Sequence, residues 1–266
     1  MIKFKLNGRV RQAAGIFMIA VTLWVIVYAP TPLVVYEPGL AFETAPLVQR
    51  SGSGAGIQQT NSGADKQGVF LVTTIKLTDA KYWQALQSIW NKDFQIWSKD
   101  SVMKGLSEKD YLAQMTKDML SSQNSAVEAA YRYAEIPYKI TSVGLQPDDE
   151  NKKIKITASD VGGPSAGLMF ALQSLNLLLD QDFTRGLRIA GTGTIDKDGN
   201  VGPIGGIALK VVTADQAGAE LFLAPKGNYE EAAAKAKELR SEMKVIPVTS
   251  LGSAIAAIQD EAGLTR

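Results

Sequence analysis

The run GLRIAGTGTIDKDGNVGPIGGIALKVVTADQAGAELFLAP, Gly186 to Pro225, decides the fold, because strand, turn, helix and strand follow one another within it. Gly186 to Ile195 has the composition of a strand, Asp198-Gly199 that of a hairpin-type turn, Ile207 to Ala217 helical spacing, and Leu221 to Pro225 strand character again. Downstream, Asn228 to Met243 predicts a helix, Lys244 to Val248 (KVIPV) a short strand, and Ser250 to Asp260 a last helix. Upstream, Ser165 to Leu179 is an apolar helix, Lys153 to Ala158 an alternating strand, and Gly68 to Leu77 a β-branched strand. Helices and strands mixed in one unit predict an α+β (mixed α/β) domain, with a strand order that the pattern does not fix.

A chain of 266 residues, 45% hydrophobic, is enough for one domain of about 200 residues once an amino-terminal segment is set aside. Its 28 basic and 27 acidic residues leave a formal charge of +1 and no long basic patch, which argues against nucleic acid as a partner. No cysteine and no histidine occur, so disulfides, thiolate nucleophiles, imidazole metal ligands and any Ser-His-Asp triad are excluded. Only oxygen or amide ligands would be left for a metal, and none is expected. The absence of G-x-x-x-x-G-K-[ST] predicts no ATP site and no cofactor.

Residues 1–12 form a basic head with Lys3, Lys5, Arg9 and Arg11, and Ala13 to Ala29 is a run of 17 residues without a charge. With its flanks (residues 13–32) it has the length of a short membrane span, and the positive side predicts a cytoplasmic amino terminus with everything after Pro30 outside. A cleaved signal peptide and a buried core helix share parts of this pattern, but the long apolar run without an Ala-x-Ala site favours a signal anchor. Residues 33–68 combine an extended segment, with Pro38-Gly39 as a turn, and a Gly/Ser-rich linker from Gln49 to Gly68. Within the domain proper, residues 69–266, the stretch 79–134 is expected to be a helical region. Its Trp83, Trp90, Phe94, Trp97 and Tyr111 could touch lipid headgroups but are expected to pack against the domain.

Ser165 follows Gly163-Pro164 and opens an apolar helix, a position that suits either an ordinary helix cap or a nucleophile beside free N–H groups. A serine hydroxyl needs a base, and without imidazole the remaining strong candidate is a lysine kept partly neutral by burial. Lys210, among Ile207, Ala208, Leu209, Val211 and Val212, is either such a lysine or one on the surface of an amphipathic helix. The S-x-x-K pairs Ser101/Lys104 and Ser241/Lys244 come without S-D-N or K-T-G and are set aside.

GGPSAGLMFAL together with AGTGTIDKDGNVGPIGGIALKVVTADQAGAELFLAP resembles the proteolytic domain of Lon-type serine proteases. The membrane-anchored bacterial members without an ATPase module are the nearest in layout, through the anchor, VVYEPG and LVTTIKL. The resemblance implies a Ser-Lys dyad with Ser165 as nucleophile, Lys210 as general base and Thr192 orienting the lysine, Thr194 being a weaker substitute. The backbone N–H groups of Gly163 and Ser165 are assigned to the oxyanion site. Hexameric rings are known in the family, so a homo-oligomer is allowed. The substrate would be a polypeptide bound as an extended strand.

Two departures stand out. Where ATP-dependent relatives carry an acidic residue three positions before the serine this chain has Gly162, with Asp160 the nearest carboxylate. Anchored relatives usually carry a PDZ domain of about 80 to 100 residues, and Tyr133 to Asp160 leaves no room for one. The function implied is a membrane-anchored, extracytoplasmic, ATP-independent serine endopeptidase acting on exposed segments of membrane or secreted proteins. Alternatives are an inactive binding or assembly module of the same fold, with Ser165 and Lys210 apart or Lys210 exposed, and an amidase using the same dyad in a closed polar pocket.

Overall fold

The computed structural model describes residues 8–51, 68–142, 144–158 and 163–263. In chain order, α1 (Gly8–Tyr28) leads into β1 (Leu33–Glu43), β2 (Val48–Arg50) and β3 (Val69–Asp79). Then come α2 (Tyr82–Gln87), β4 (Gln95–Ser98), α3 (Lys99–Met103) and the long α4 (Glu108–Tyr133). A hairpin of β5 (Tyr138–Thr141) and β6 (Gly144–Pro147) precedes β7 (Ile154–Ile156) and α5 (Gly167–Leu179). The rest is β8 (Arg188–Gly191), β9 (Thr194–Ile195), β10 (Val201–Gly202), α6 (Ile207–Gln216), β11 (Leu221–Pro225), α7 (Tyr229–Leu239), β12 (Lys244–Val248) and α8 (Leu251–Glu261). Two compact units divide the chain: Met1–Glu37 with Lys76–Ser107, and Pro38–Ile75 with Glu108–Arg266.

In the first unit, α1 is 21 residues long with no buried residue. At 1.5 Å per residue it extends about 31 Å, the thickness of a bilayer core. The helix takes in Arg9 and Arg11, so it begins before the expected span, and it ends at Tyr28 ahead of Pro30 and Pro32, which cannot continue it. The start of β1 pairs antiparallel with β4, Leu33 opposite Ser98 and Tyr36 opposite Gln95. β4 therefore interrupts the helical region expected over 79–134. Trp83, Trp90 and Trp97, expected to be packed, are exposed.

The second unit carries a sheet of order β12-β11-β8-β3-β1. β12, β11, β8 and β3 run parallel, Leu221 facing both Lys244 and Ile189, and Val69 facing Arg188. Side chains alternate across these strands and separate the core into two layers. Phe70, Val72, Ile189, Leu221 and Leu223 pack with α4, α5 and α8, whereas Leu71, Ala190, Phe222 and Ala224 pack with α6 and α7. The domain is a mixed α/β fold with helices on both faces. The strands were readable from their apolar runs, but their order came only from pairing.

Five stretches depart from the sequence expectation. Pro38-Gly39 is no turn: β1 runs through it, and a Cβ on Gly39 would lie 2.4 Å from Thr74 Oγ1. That hydroxyl accepts from Leu40 N–H and donates to Leu40 O, so a side chain of β3 pairs with the β1 backbone and holds the segment extended. The strand expected from Gly186 to Ile195 breaks at Thr192-Gly193, where Thr192 N–H still reaches Leu223 O but Gly193 N–H turns to Ser165 O. α7 stops at Leu239 because Arg240 takes a left-handed conformation and Ser241 N–H donates to Ala236 O. The β5–β6 hairpin had no expectation, since its polar strands and Gly144 turn lack apolar alternation. Gln49 and Arg50, expected in the linker, pair with β7, and residues 52–67 of that linker lie outside the described residues.

Candidate active site

The site is built where α5 begins. Gly163 has φ 82° and ψ 163°, a left-handed-side conformation that favours glycine, and Pro164 presets the first φ of a 3-10 turn over Pro164–Ala166 that runs into α5. Neighbouring elements crowd this turn. A Cβ on Gly167 would sit 2.9 Å from Ser122 Oγ of α4 and 3.0 Å from Ile195 Cγ2 of β9, so only glycine lets the three elements meet. Ser122 Oγ donates to Pro164 O at 2.9 Å, and Gly167 N–H donates to the same oxygen.

Ser165 is held through its own carbonyl. Gly193 N–H donates to Ser165 O at 2.8 Å and Thr192 Oγ1 donates to it at 2.9 Å. The break after β8 thus fixes the serine backbone and leaves its hydroxyl to meet Lys210.

Lys210 comes from α6, whose amino-terminal cap Gly206 is left-handed (φ 67°). Lys210 is 4% exposed, and its Nζ lies 2.5 Å from Ser165 Oγ and 3.0 Å from Thr192 Oγ1. The direction of the threonine bond follows from proton counting. Thr192 has one hydroxyl proton and gives it to Ser165 O, so toward Lys210 it accepts. One lysine N–H is therefore fixed on Thr192, and in the neutral amine a lone pair is free to face the Ser165 hydroxyl. Desolvation by burial lowers the Lys210 pKa from its ordinary 10.5 to about 8.

Sequence reasoning singled out Ser165, Lys210, Thr192 and Gly163, and these four residues lie together. Thr194 stands in β9 opposite Gly202 and makes no described bond to Lys210. Asp160 and Gly162 lie outside the described residues. The two S-x-x-K pairs have other engagements: Ser101 Oγ donates to Ser98 O, Ser241 Oγ bonds the Asp215 carboxylate, and Lys244 pairs with Glu261. Ser122 and Gly193 had no sequence signal, because both act through backbone oxygens that a residue pattern does not reveal.

What fold and site define together is a mixed α/β domain in which a serine at a helix start meets a buried lysine amine. The family model described as "Lon protease (S16) C-terminal proteolytic domain" matches residues 107–259, which contain every residue of this site, and the chain belongs to that family. Among known proteins it is similar to Lon protease 4 of Sorangium cellulosum, 31% identical over 163 residues, covering 61% of this chain and 20% of that protein. Lon protease homolog 2, peroxisomal, of Caenorhabditis elegans is 35% identical over 121 residues, 44% of this chain and 15% of that protein. The Lon protease of Chloroflexus aggregans is 28% identical over 153 residues, 56% of this chain and 18% of that protein. The chain thus spans a fifth or less of the length of these relatives.

Proposed function

We propose that the protein is a serine endopeptidase that works without ATP, with Ser165 as nucleophile and Lys210 as its general base. The observation that carries this is the 2.5 Å separation of Lys210 Nζ from Ser165 Oγ in a setting that leaves the lysine only 4% exposed. Neutral Lys210 takes the hydroxyl proton as Oγ attacks the scissile carbonyl, then passes that proton to the leaving amine. Water then attacks the acyl-enzyme carbonyl as Lys210 takes its proton, and Lys210 returns that proton to Ser165 Oγ as the bond to the acyl group breaks, releasing the carboxylic acid and restoring both residues. The oxyanion of each tetrahedral intermediate would be met by the N–H groups of Gly163 and Ser165 at the start of α5. Thr192 orients the lysine throughout.

The substrate is an extended segment of a membrane or secreted polypeptide, and α1 would anchor the chain with its amino terminus in the cytoplasm and the catalytic domain outside. Arg9 and Arg11 at one end of an apolar helix of 21 residues support that topology. A ring of identical chains is the assembly the family suggests. An inactive binding module called for Ser165 and Lys210 apart or for an exposed lysine, and the distance and burial count against it.

The test is cleavage of an unfolded protein by the full chain in detergent, without ATP, beside Ser165→Ala and Lys210→Ala. Cleavage by the parent, lost in both folded variants, is the expected result. A folded parent that cuts nothing, or variants that cut as well as the parent, would remove the proposal.

A further inference from the structure

The apolar side chains on and just beyond α2 share one face. The helical turn continues past Gln87, since Trp90 N–H and Asn91 N–H both donate to Gln87 O, at 3.1 and 3.0 Å. At 100° per residue, Tyr82, Trp83, Leu86, Ile89 and Trp90 fall within an arc of about 120°, while Gln84, Gln87, Ser88 and Asn91 fall opposite. Such a face normally turns inward to a core. Here it is open: Trp90 is 79% exposed, Ile89 69% and Trp83 45%.

The position of the stripe indicates what covers it. Tyr82, Ala85 and Leu86 line a groove together with Val25 and Ile26 of α1. Val25 lies in the last turn of α1, about 5 Å along the axis from Tyr28 at its end. That end carries its own aromatic pair, Trp24 and Tyr28, with ring centroids 6.1 Å apart. Tryptophan and tyrosine collect at the level where a spanning helix leaves the hydrocarbon, because their rings are apolar and their N–H or O–H needs water. Lys81 and Lys92 bracket the stripe, with Asp93 beside the second, so its ends are polar while its face is not.

We infer that the stripe of Trp83, Leu86, Ile89 and Trp90 lies in the outer lipid interface, its apolar face in the boundary between headgroups and acyl chains. It is a second membrane contact beside α1, and the inference rests on the reading of α1 as a membrane span. Lipid is the occupant because the groove makes the stripe continuous with the exit end of α1.

The experiment reconstitutes the full chain into phosphatidylcholine vesicles whose lipids are brominated on the upper acyl chain, and reads tryptophan emission. One version keeps only Trp90 (Trp24, Trp83 and Trp97 each to Phe), and another keeps only Trp24 as a reporter of α1. Trp90 emission is expected to be blue-shifted and quenched by the brominated lipid, as Trp24 emission is. Quenching of Trp24 with red, unquenched Trp90 emission would overturn the inference while leaving the span intact. Loss of quenching at both would overturn the span and the inference together. Blue-shifted Trp90 emission that ignores bromine but follows protein concentration would also overturn it, in favour of contact with a second copy.

Discussion

Among the described residues Lys210 and Lys235 are the buried lysines; the Lys235 amine reaches Glu238 at 3.7 Å, whereas the Lys210 amine meets the hydroxyls of Ser165 and Thr192. Desolvation lowers the Lys210 pKa, so burying this amine costs stability. Its proton binds in the unfolded chain below 10.5 but in the fold only below about 8. The unfolded state therefore holds more protons between those values, and stability rises with pH across that window. Below pH 8 the full penalty applies, about 3 kcal/mol for a shift of this size. Lys210→Met, similar in length and uncharged, is expected to unfold at higher urea than the parent at pH 7, with the gap narrowing by pH 10. A variant less stable than the parent at pH 7 would mean that the amine contributes more through hydrogen bonds than its burial costs. This residue was partly legible in the sequence, since a chain without histidine or cysteine leaves lysine as the strongest remaining base and Lys210 has apolar neighbours. Thr192 entered only through the family resemblance, and Ser122 and Gly193 not at all, because a serine inside a helix and a glycine after a strand have many ordinary uses.

At the scale of elements, the site depends on how closely α4, α5 and β9 approach at Gly167. Gly167→Ala would drive a Cβ against Ser122 Oγ and the Ile195 backbone N, the latter 3.2 Å away and unable to swing aside. A loss of about 1–3 kcal/mol is expected, read as a lower thermal midpoint together with reduced cleavage. Gly205→Ala serves as the comparison, since nothing lies within 4 Å of a Cβ there and its φ is not in the left-handed range; it should leave the midpoint unchanged. Equal behaviour of the two variants would show that α4 and β9 yield easily. The parallel strands and α5 to α8 were largely legible because their apolar runs are long and bounded by glycine, proline or polar residues. β1 was misread at Pro38-Gly39 because the cause of its extension, Thr74, lies on another strand. The tryptophans around α2 were misread because periodicity identifies an apolar face but not what covers it.

At the scale of the whole molecule, the cysteine-free sequence gives a direct test of topology, because any introduced cysteine is the only one. A membrane-impermeant maleimide added to intact cells is expected to label a chain carrying Lys226→Cys, an exposed position in the second unit. Asn7→Cys, on the basic side of α1, should be labelled only after the cells are opened. The reverse pattern would place the domain in the cytoplasm and with it a different set of substrates. Family membership was legible from two motifs at their spacing, Gly162 to Leu172 and Ala190 to Pro225. Substrate choice was not, because neither motif carries a residue that names a preferred side chain.

The most direct measurement of the central claim is the pH dependence of covalent labelling of Ser165 by a fluorophosphonate, followed by mass spectrometry on the full chain. If Lys210 is the base, labelling falls on Ser165, rises with pH through a midpoint near the lysine's value of about 8, and disappears in Lys210→Met. Labelling that is flat across this range, that survives in Lys210→Met, or that falls on another residue would contradict the account.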